Sequence, residues 1–176
     1  RGRNNASILV DEKGFEFTQI FEKGLMGGVF YYQIVNVYLT DDKIGDAVDN
    51  ENVDSVKNYT DMEHHFDEAF GYFGVDTDFP SVIPDRFWGK YCNAQDNQYG
   101  LNATLMNAFL NGRYAITQND YTTRDAQIAI IRENMEKLTA AQALYYIDEA
   151  LGYFGTDQAK FLHVVSEAYA FINAIR

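Results

Sequence analysis

Residues 59–74 have the sequence YTDMEHHFDEAFGYFG, and residues 140–155 have the sequence AAQALYYIDEALGYFG. The two segments align without a gap, and their last eight positions differ only at Phe70 and Leu151. Apolar residues in both segments recur every three or four positions, which is the spacing of one buried helix face. The duplication therefore predicts an all-α helical bundle built from a repeated helix motif.

The repeat extends upstream of each copy. Phe21 begins a Phe-x-x-Gly pattern before the first copy, and Phe109 begins the same pattern before the second. The repeating unit is therefore a predicted helix hairpin, with repeat 1 at about residues 15–75 and repeat 2 at about residues 101–156. We expect a single helical-bundle domain over residues 1–176, as a fragment of a longer chain.

Signals for helix ends accompany the repeat. Thr60 and Glu63 form the Thr-x-x-Glu pattern of a capping box, and Gly74 is suited to end a helix in a left-handed conformation. Further helices are predicted at residues 14–39, 84–91, 101–118, 123–138, 140–152 and 157–176, with a strand as the alternative for residues 29–39. Three glycines inside the first helix predict a close crossing with another helix: Gly24, Gly27 and Gly28.

Composition excludes several classes of protein. Apolar residues make up 47% of the 176 positions and only 2 are Pro, which excludes a disordered chain. A net charge of -12 disfavours nucleic-acid partners and favours a cationic ligand or a cationic protein partner. Cys92 is the single cysteine, so the sequence contains neither a disulfide framework nor a Cys-based zinc site. No apolar run is long enough to predict a membrane span.

Histidines and carboxylates at helical spacing give the candidate metal site. His65 and Glu68 are three positions apart, and His163 and Glu167 are four apart, so each pair can share one side of a helix. Glu149 is the counterpart of Glu68 in the second copy. These five residues are the predicted ligands of a divalent metal or iron.

A tyrosine accompanies the carboxylate in each copy. Tyr72 follows Glu68 by one helical turn, and Tyr153 follows Glu149 in the same way, so we predict that both tyrosines line a ligand site. The alternative is a structural or partner-binding scaffold, without a metal site, in which these polar residues serve helix packing. An enzyme is a third hypothesis, and the sequence shows no nucleophilic triad in its support.

Three stretches of the chain resemble the bacterial domain of unknown function 4856. They are KGLMGGVFYY at residues 23–32, EHHFDEAFGYFG at residues 63–74 and RFWGKY at residues 86–91, and the resemblance covers most of the chain. Members of that family are typically secreted lipoproteins of Bacteroidota-type bacteria. They are similar to the imelysin group, whose helical bundles are linked to iron uptake.

The resemblance implies a non-enzymatic cell-envelope protein that binds a metal or a metal-bearing ligand. It also implies an extracytoplasmic location, with a lipid anchor on a segment that precedes residue 1. Imelysins carry Gly-x-His-x-x-Glu, whereas this chain has Glu63 at the position of the glycine before His65 and Glu68. A metallopeptidase of the His-Glu-x-x-His type is not supported, because that motif is absent from the sequence.

Overall fold

The computed structural model describes residues 8–175 and confirms the all-α prediction, since no strand occurs in that range. Two π-helical stretches follow the first α-helix, at Met26–Tyr31 and Gln33–Tyr38. The α-helices within the described range are α1 (Phe17–Leu25), α2 (Asp41–Ile44), α3 (Asp61–Phe73), α4 (Phe87–Tyr99), α5 (Leu101–Thr117), α6 (Tyr121–Tyr153) and α7 (Gln158–Ala174).

The first predicted helix is helical over most of its length but is not a uniform α-helix. It begins at Phe17, and from Met26 its backbone widens into the π-helical stretches, which end at Tyr38. The β-branched and aromatic residues from Val29 onward are therefore helical, and the alternative of a strand is wrong. Packing against other helices overrides their strand propensity.

The first copy of the repeat begins and ends as predicted, and the second copy ends in the same way. The Glu63 amide donates to the Thr60 hydroxyl at 3.2 Å, while the Thr60 amide donates to the Glu63 carboxylate at 3.0 Å. Gly74, after α3, has φ of 75°, and Gly155, after α6, has φ of 74°. Only glycine takes this left-handed conformation without steric cost.

The second copy is the last part of a longer helix. Separate helices at residues 123–138 and 140–152 were the expectation, and this is wrong because α6 is one helix of 33 residues. The positions that correspond to the capping box of the first copy hold Ala141 and Leu144. Neither side chain can accept a hydrogen bond from a helix amide, and both residues favour a helix interior, so no new helix begins there.

The described chain forms two compact units. The terminal unit contains the residues up to Val29 and those from Lys137 onward, and the central unit is Phe30–Glu136. The first copy of the repeat lies in the central unit, and the second copy lies in the terminal unit. A single domain over residues 1–176 stays a prediction.

In the terminal unit, α1 packs along α7. A Cβ atom on Gly27 would overlap Ala174, so the absence of a side chain allows the two helices to approach. Gly24 and Gly28 have no such neighbour within 4 Å. The prediction of a close crossing is confirmed at Gly27 and wrong at the other two glycines.

The second copy also packs on α7 in the terminal unit. The ring centroids of Tyr146 and Phe171 are 5.8 Å apart, and those of Phe154 and Phe161 are 5.5 Å apart. Since the earlier residue of the second copy meets the later residue of α7, the second copy and α7 run antiparallel.

In the central unit, α3 packs between α5 and the second π-helical stretch. The Phe109 ring of α5 lies 5.4–6.0 Å from the rings of Phe66, Phe70 and Phe73. The Tyr72 ring of α3 stacks on Tyr38 at 5.7 Å, on the side of the π-helical stretch. In this unit Cys92 is fully buried in α4, and burial raises the pKa of its thiol.

Candidate functional site

The five predicted metal ligands are divided between the two units. His65 and Glu68 belong to the central unit, whereas Glu149, His163 and Glu167 belong to the terminal unit. The local surroundings of each group decide what it can do chemically.

In the central unit, His65 and Glu68 have different partners. The Nδ1–H of His65 donates to the Lys43 carbonyl at 2.7 Å. Glu68 lies 3.7 Å from Nε2 of His64 and accepts a hydrogen bond from Tyr38. Burial and the neighbouring Glu68 raise the pKa of Tyr38. Glu68 therefore pairs with His64 across one helical turn and not with the predicted His65.

The two predicted ligand tyrosines differ in their surroundings. Tyr72 packs among aromatic rings, with Phe30 at 6.0 Å in addition to its stacked neighbour Tyr38. Tyr153 donates from its hydroxyl to Glu149 at 3.5 Å, and Lys160 Nζ lies 5.0 Å from its ring centroid. The tyrosine and the carboxylate of the second copy thus contact each other directly.

In the terminal unit, the structure brings His163 and Glu167 together with two residues that were not predicted. Nδ1 of His163 lies 2.7 Å from Glu16, and Nε2 lies 3.6 Å from Glu167. Lys23 Nζ lies 3.5 Å from the other oxygen of Glu167. We call Glu16, Lys23, His163 and Glu167 the His163 cluster.

The His163 cluster lies where α1 packs on α7, and much of it is buried. The backbone amide of the buried residue Glu16 donates to the Ser166 hydroxyl at 2.9 Å, which fixes the start of α1 against α7. Burial raises the pKa of Glu167, and the charges of Lys23 and His163 oppose that shift. Glu16 is 147 positions from His163, so no local spacing could have indicated this pair.

The present arrangement is a polar network, in which Lys23 pairs with Glu167 and the His163 ring lies between two carboxylates. The two carboxylates contact different nitrogens of the His163 ring: Glu16 lies next to Nδ1, and Glu167 lies next to Nε2. Throughout residues 8–175, no group of three or more His, Cys, Asp or Glu side chains is placed to hold a metal ion.

A second candidate feature is an exposed apolar face on the second copy of the repeat. The side chains of the second copy that form this open face recur at i, i+3, i+7 and i+10: Leu144, Ile147, Leu151 and Phe154. Leu151 is 68% exposed and Phe154 is 69% exposed. A helix of a folded protein normally buries such a stripe.

The same face of the first copy is covered. Phe66 and Phe73 correspond to Ile147 and Phe154, yet they are only 1% and 0% exposed. The covering helix is α5, which places Phe109 against them. The two copies therefore share a sequence pattern but differ in whether a second helix covers it.

Comparison with known proteins places the chain in a family. A family model described as a domain of unknown function, DUF4856, matches residues 2–176. The chain belongs to the DUF4856 family. This confirms the resemblance found in the sequence. No curated protein and no solved structure matches this DUF4856 chain.

The DUF4856 chain therefore has two candidate features in its terminal unit. The polar groups of the His163 cluster bind one another, whereas the side chains of the open face are largely exposed, although the Phe154 ring also touches Phe161 of α7. In that part of the chain, no helix has both the length and the apolar character needed to cross a membrane.

Proposed function

We propose that this DUF4856 chain is a non-enzymatic helical module that binds a helix of a partner protein through the open face. One observation carries the proposal: the equivalent face of the first copy is covered by α5, and that of the second is exposed. Contiguous exposed apolar side chains on a soluble protein commonly mark an interaction site.

The spacing of the open face fits the recognition of a helix. Anchors at i, i+3, i+7 and i+10 are those by which one amphipathic helix packs against another. A basic side chain on the partner is favoured as well. Asp148, beside the open face, is the counterpart of Asp67, which binds the Arg113 guanidinium at 2.8 Å in the covered copy.

The test uses α5 as a model partner. A fluorescent peptide with the sequence of residues 101–117 is titrated with the chain, and binding is followed by fluorescence anisotropy. Replacing Leu151 and Phe154 together by Gln should weaken binding at least tenfold, because burial of each side chain contributes about 1.5–3 kcal/mol. Val56→Gln, at an exposed apolar position in a loop, is the matched control and should change nothing.

Two outcomes would contradict this function. One is that the chain does not bind the peptide at all. The other is that the double variant and the Val56 control bind it equally well. Circular dichroism should show that both variants remain folded, because the replaced side chains are exposed.

A metal-binding function is the second candidate, and the orientation of His163 is the observation that supports it. Glu16 accepts from Nδ1–H of His163, which directs Nε2 toward Glu167. A carboxylate that orients a histidine in this way is the usual surrounding of a metal-bound imidazole. A divalent metal or iron would take Nε2 and Glu167 as ligands and would displace Lys23.

The other predicted ligands remain part of this second candidate. They are His65, Glu68 and Glu149, with Tyr72 and Tyr153 lining the ligand site. Calorimetry with Fe²⁺, Zn²⁺ and Ca²⁺ should show binding that His163→Ala with Glu167→Ala abolishes. Absence of heat with all three ions, or no loss in the double variant, excludes a site at His163. The same comparison with His65→Ala and Glu68→Ala tests the central-unit pair.

We also propose that the protein works outside the cytoplasm, attached by a lipid anchor in the bacterial envelope. The lipoprotein character of the family that the sequence resembles supports this location. When the bacterium is grown with a labelled fatty acid, the protein should carry the label and should be found in the membrane fraction. Label-free protein in the cytoplasm would contradict the proposed location.

A further inference from the structure

We propose that the helix bound by the open face is α1 of a second copy of this chain, in a reciprocal two-fold dimer. This inference rests on the proposed function, because it requires that the open face bind a helix. Three comparisons between the covered copy and the open copy support it.

First, α1 carries the residues of the helix that covers the first copy. Phe21 and Gly24 correspond to Phe109 and Gly112 of α5. In α5 both residues are buried, and a Cβ atom on Gly112 would come within 2.6 Å of the Phe66 ring. The glycine therefore permits the close approach of α5 to α3.

In α1 the same two positions are open. Phe21 is 69% exposed, and a Cβ atom on Gly24 would have no neighbour within 4 Å. A glycine inside a helix costs about 0.5–1 kcal/mol relative to alanine. At Gly24 no close contact within the chain compensates for this cost. Contact with a helix of another molecule would use this space.

Second, a charged pair in the covered copy is replaced on both sides by leucine. Arg113 of α5 binds Glu63 of the first copy at 2.7 Å. The counterpart of Arg113 in α1 is Leu25, and the counterpart of Glu63 in α6 is Leu144. Both leucines are exposed. An ion pair in one interface thus corresponds to two apolar side chains that would meet in the other.

Third, the replacement extends to the neighbouring contact. The Thr117 hydroxyl of α5 lies 3.1 Å from Glu63, and the counterpart of Thr117 is the exposed residue Val29. Each polar member of the Glu63, Arg113 and Thr117 contact therefore has an apolar counterpart at the two open surfaces. Phe17, also exposed, continues the apolar stripe of α1 by one turn toward its start.

Symmetry makes a second copy a suitable partner. Each chain has one open face and one exposed apolar stripe along α1 and the π-helical stretch after it, which contains Phe17, Phe21, Leu25 and Val29. Both surfaces belong to the terminal unit. In a two-fold dimer, α1 of each copy can cover the open face of the other, so that the contact occurs twice and the assembly closes. The two α1 helices and the two α6 helices would then pack together in the manner of a four-helix bundle.

The test is a charge exchange measured by sedimentation equilibrium of the whole chain. The wild-type protein should dimerise. Leu144→Glu alone should raise the dissociation constant at least roughly tenfold, because it buries a charge without a partner. Leu25→Arg alone should raise it less, because Asp148 is the counterpart of the Arg113 partner Asp67. The double variant should recover most of the lost affinity, because it re-creates the Arg113 and Glu63 pair at the new interface.

Controls separate this effect from unfolding and from nonspecific repulsion. Val53→Glu and Val56→Arg change exposed valines in a loop and should leave the dimer unchanged. Circular dichroism should show native helix content in every variant. Leu25→Ala with Leu144→Ala gives a further check, because removal of both side chains should weaken the dimer without introducing charge.

The proposal is overturned if the wild-type chain is monomeric at 100 μM, a concentration of roughly 2 mg/mL for a chain of 20.1 kDa. It is also overturned if the double variant dimerises no better than Leu144→Glu alone. A monomeric chain that still binds the α5 peptide through the open face would leave the proposed function standing, with a different protein as partner. A chain that neither dimerises nor binds the peptide contradicts both.

Discussion

At the scale of single residues, Gly27 shows how a position without a side chain sets the distance between two helices. Replacing it by Ala should destabilise the protein by about 1–3 kcal/mol, because the added methyl group overlaps Ala174. Gly28→Ala is the matched control and should change the free energy of unfolding by less than about 0.5 kcal/mol, since open space surrounds it. Urea denaturation of both variants measures the difference, and equal stabilities would disprove the close contact.

The three glycines of the first helix also show a limit of sequence analysis. Their spacing indicates a helix crossing, but a crossing requires a partner surface, and the partner residue Ala174 in α7 is 147 positions from Gly27. The same limit applies at the His163 cluster. His163 and Glu167 were predictable because residues one turn apart share a helix face. Glu16 and Lys23 join them only because α1 packs on α7.

At the scale of the element, α3 depends on its capping box. Hydrogen bonds from the Thr60 amide, Arg113 and Thr117 lower the pKa of Glu63 below its ordinary value of 4.5, although burial opposes the shift. The ionised Glu63 therefore stabilises the folded state above about pH 4.5, and this contribution is lost as the pH falls through the lowered pKa.

Replacement of Glu63 by Gln should cost about 1 kcal/mol at pH 7. The stability difference between the wild type and this variant should shrink as the pH falls below about 4.5 and through the lowered pKa of Glu63. Thermal or urea unfolding at each pH measures it. A difference that stays constant with pH would show that the charge of Glu63 does not contribute, and Glu51→Gln, at an exposed loop position, is the control.

Helices with strong local signals were predictable, whereas their continuity was not. The Thr60 and Glu63 pattern specifies where α3 begins, and Gly74 specifies where it ends. Around Thr139 the sequence contains neither Gly nor Pro, and a single buried threonine inside a helix is compatible with uninterrupted hydrogen bonding. Only the register of the apolar residues changes near Thr139. The sequence therefore favoured two helices, whereas the structure has the single helix α6.

At the scale of the whole molecule, α6 contributes residues to both units and should transmit the effect of a break to each of them. Ala140→Pro places proline inside this helix and should cost at least about 3 kcal/mol, compared with about 1 kcal/mol for Ala140→Gly. If residue 140 began a separate helix, proline would be tolerated there, because its missing amide hydrogen would have no helix partner anyway. Equal stabilities of the two variants would support two helices.

The architecture was predictable from the repeat, but the difference between its two copies was not. Phe70 and Leu151 are both apolar and occupy equivalent positions, so the sequence pattern gives both the same inward direction. Whether a helix covers them depends on the rest of the assembly. The sequence signal that distinguishes the copies is the replacement of Arg113 by Leu25. It can be interpreted only when the contact of Arg113 with Glu63 is known.

The π-helical stretches have a consequence for how this chain tolerates changes in length. A π-helical turn holds one residue more than an α-helical turn, so such a stretch resembles an α-helix into which a residue has been inserted. Deleting one residue between Met26 and Tyr31 would tighten the turn and need not break the helix. A sequence that is one residue shorter within Met26–Tyr31 can therefore form an ordinary α-helical turn there. The helical residues on both sides of the stretch would then keep the same sides buried.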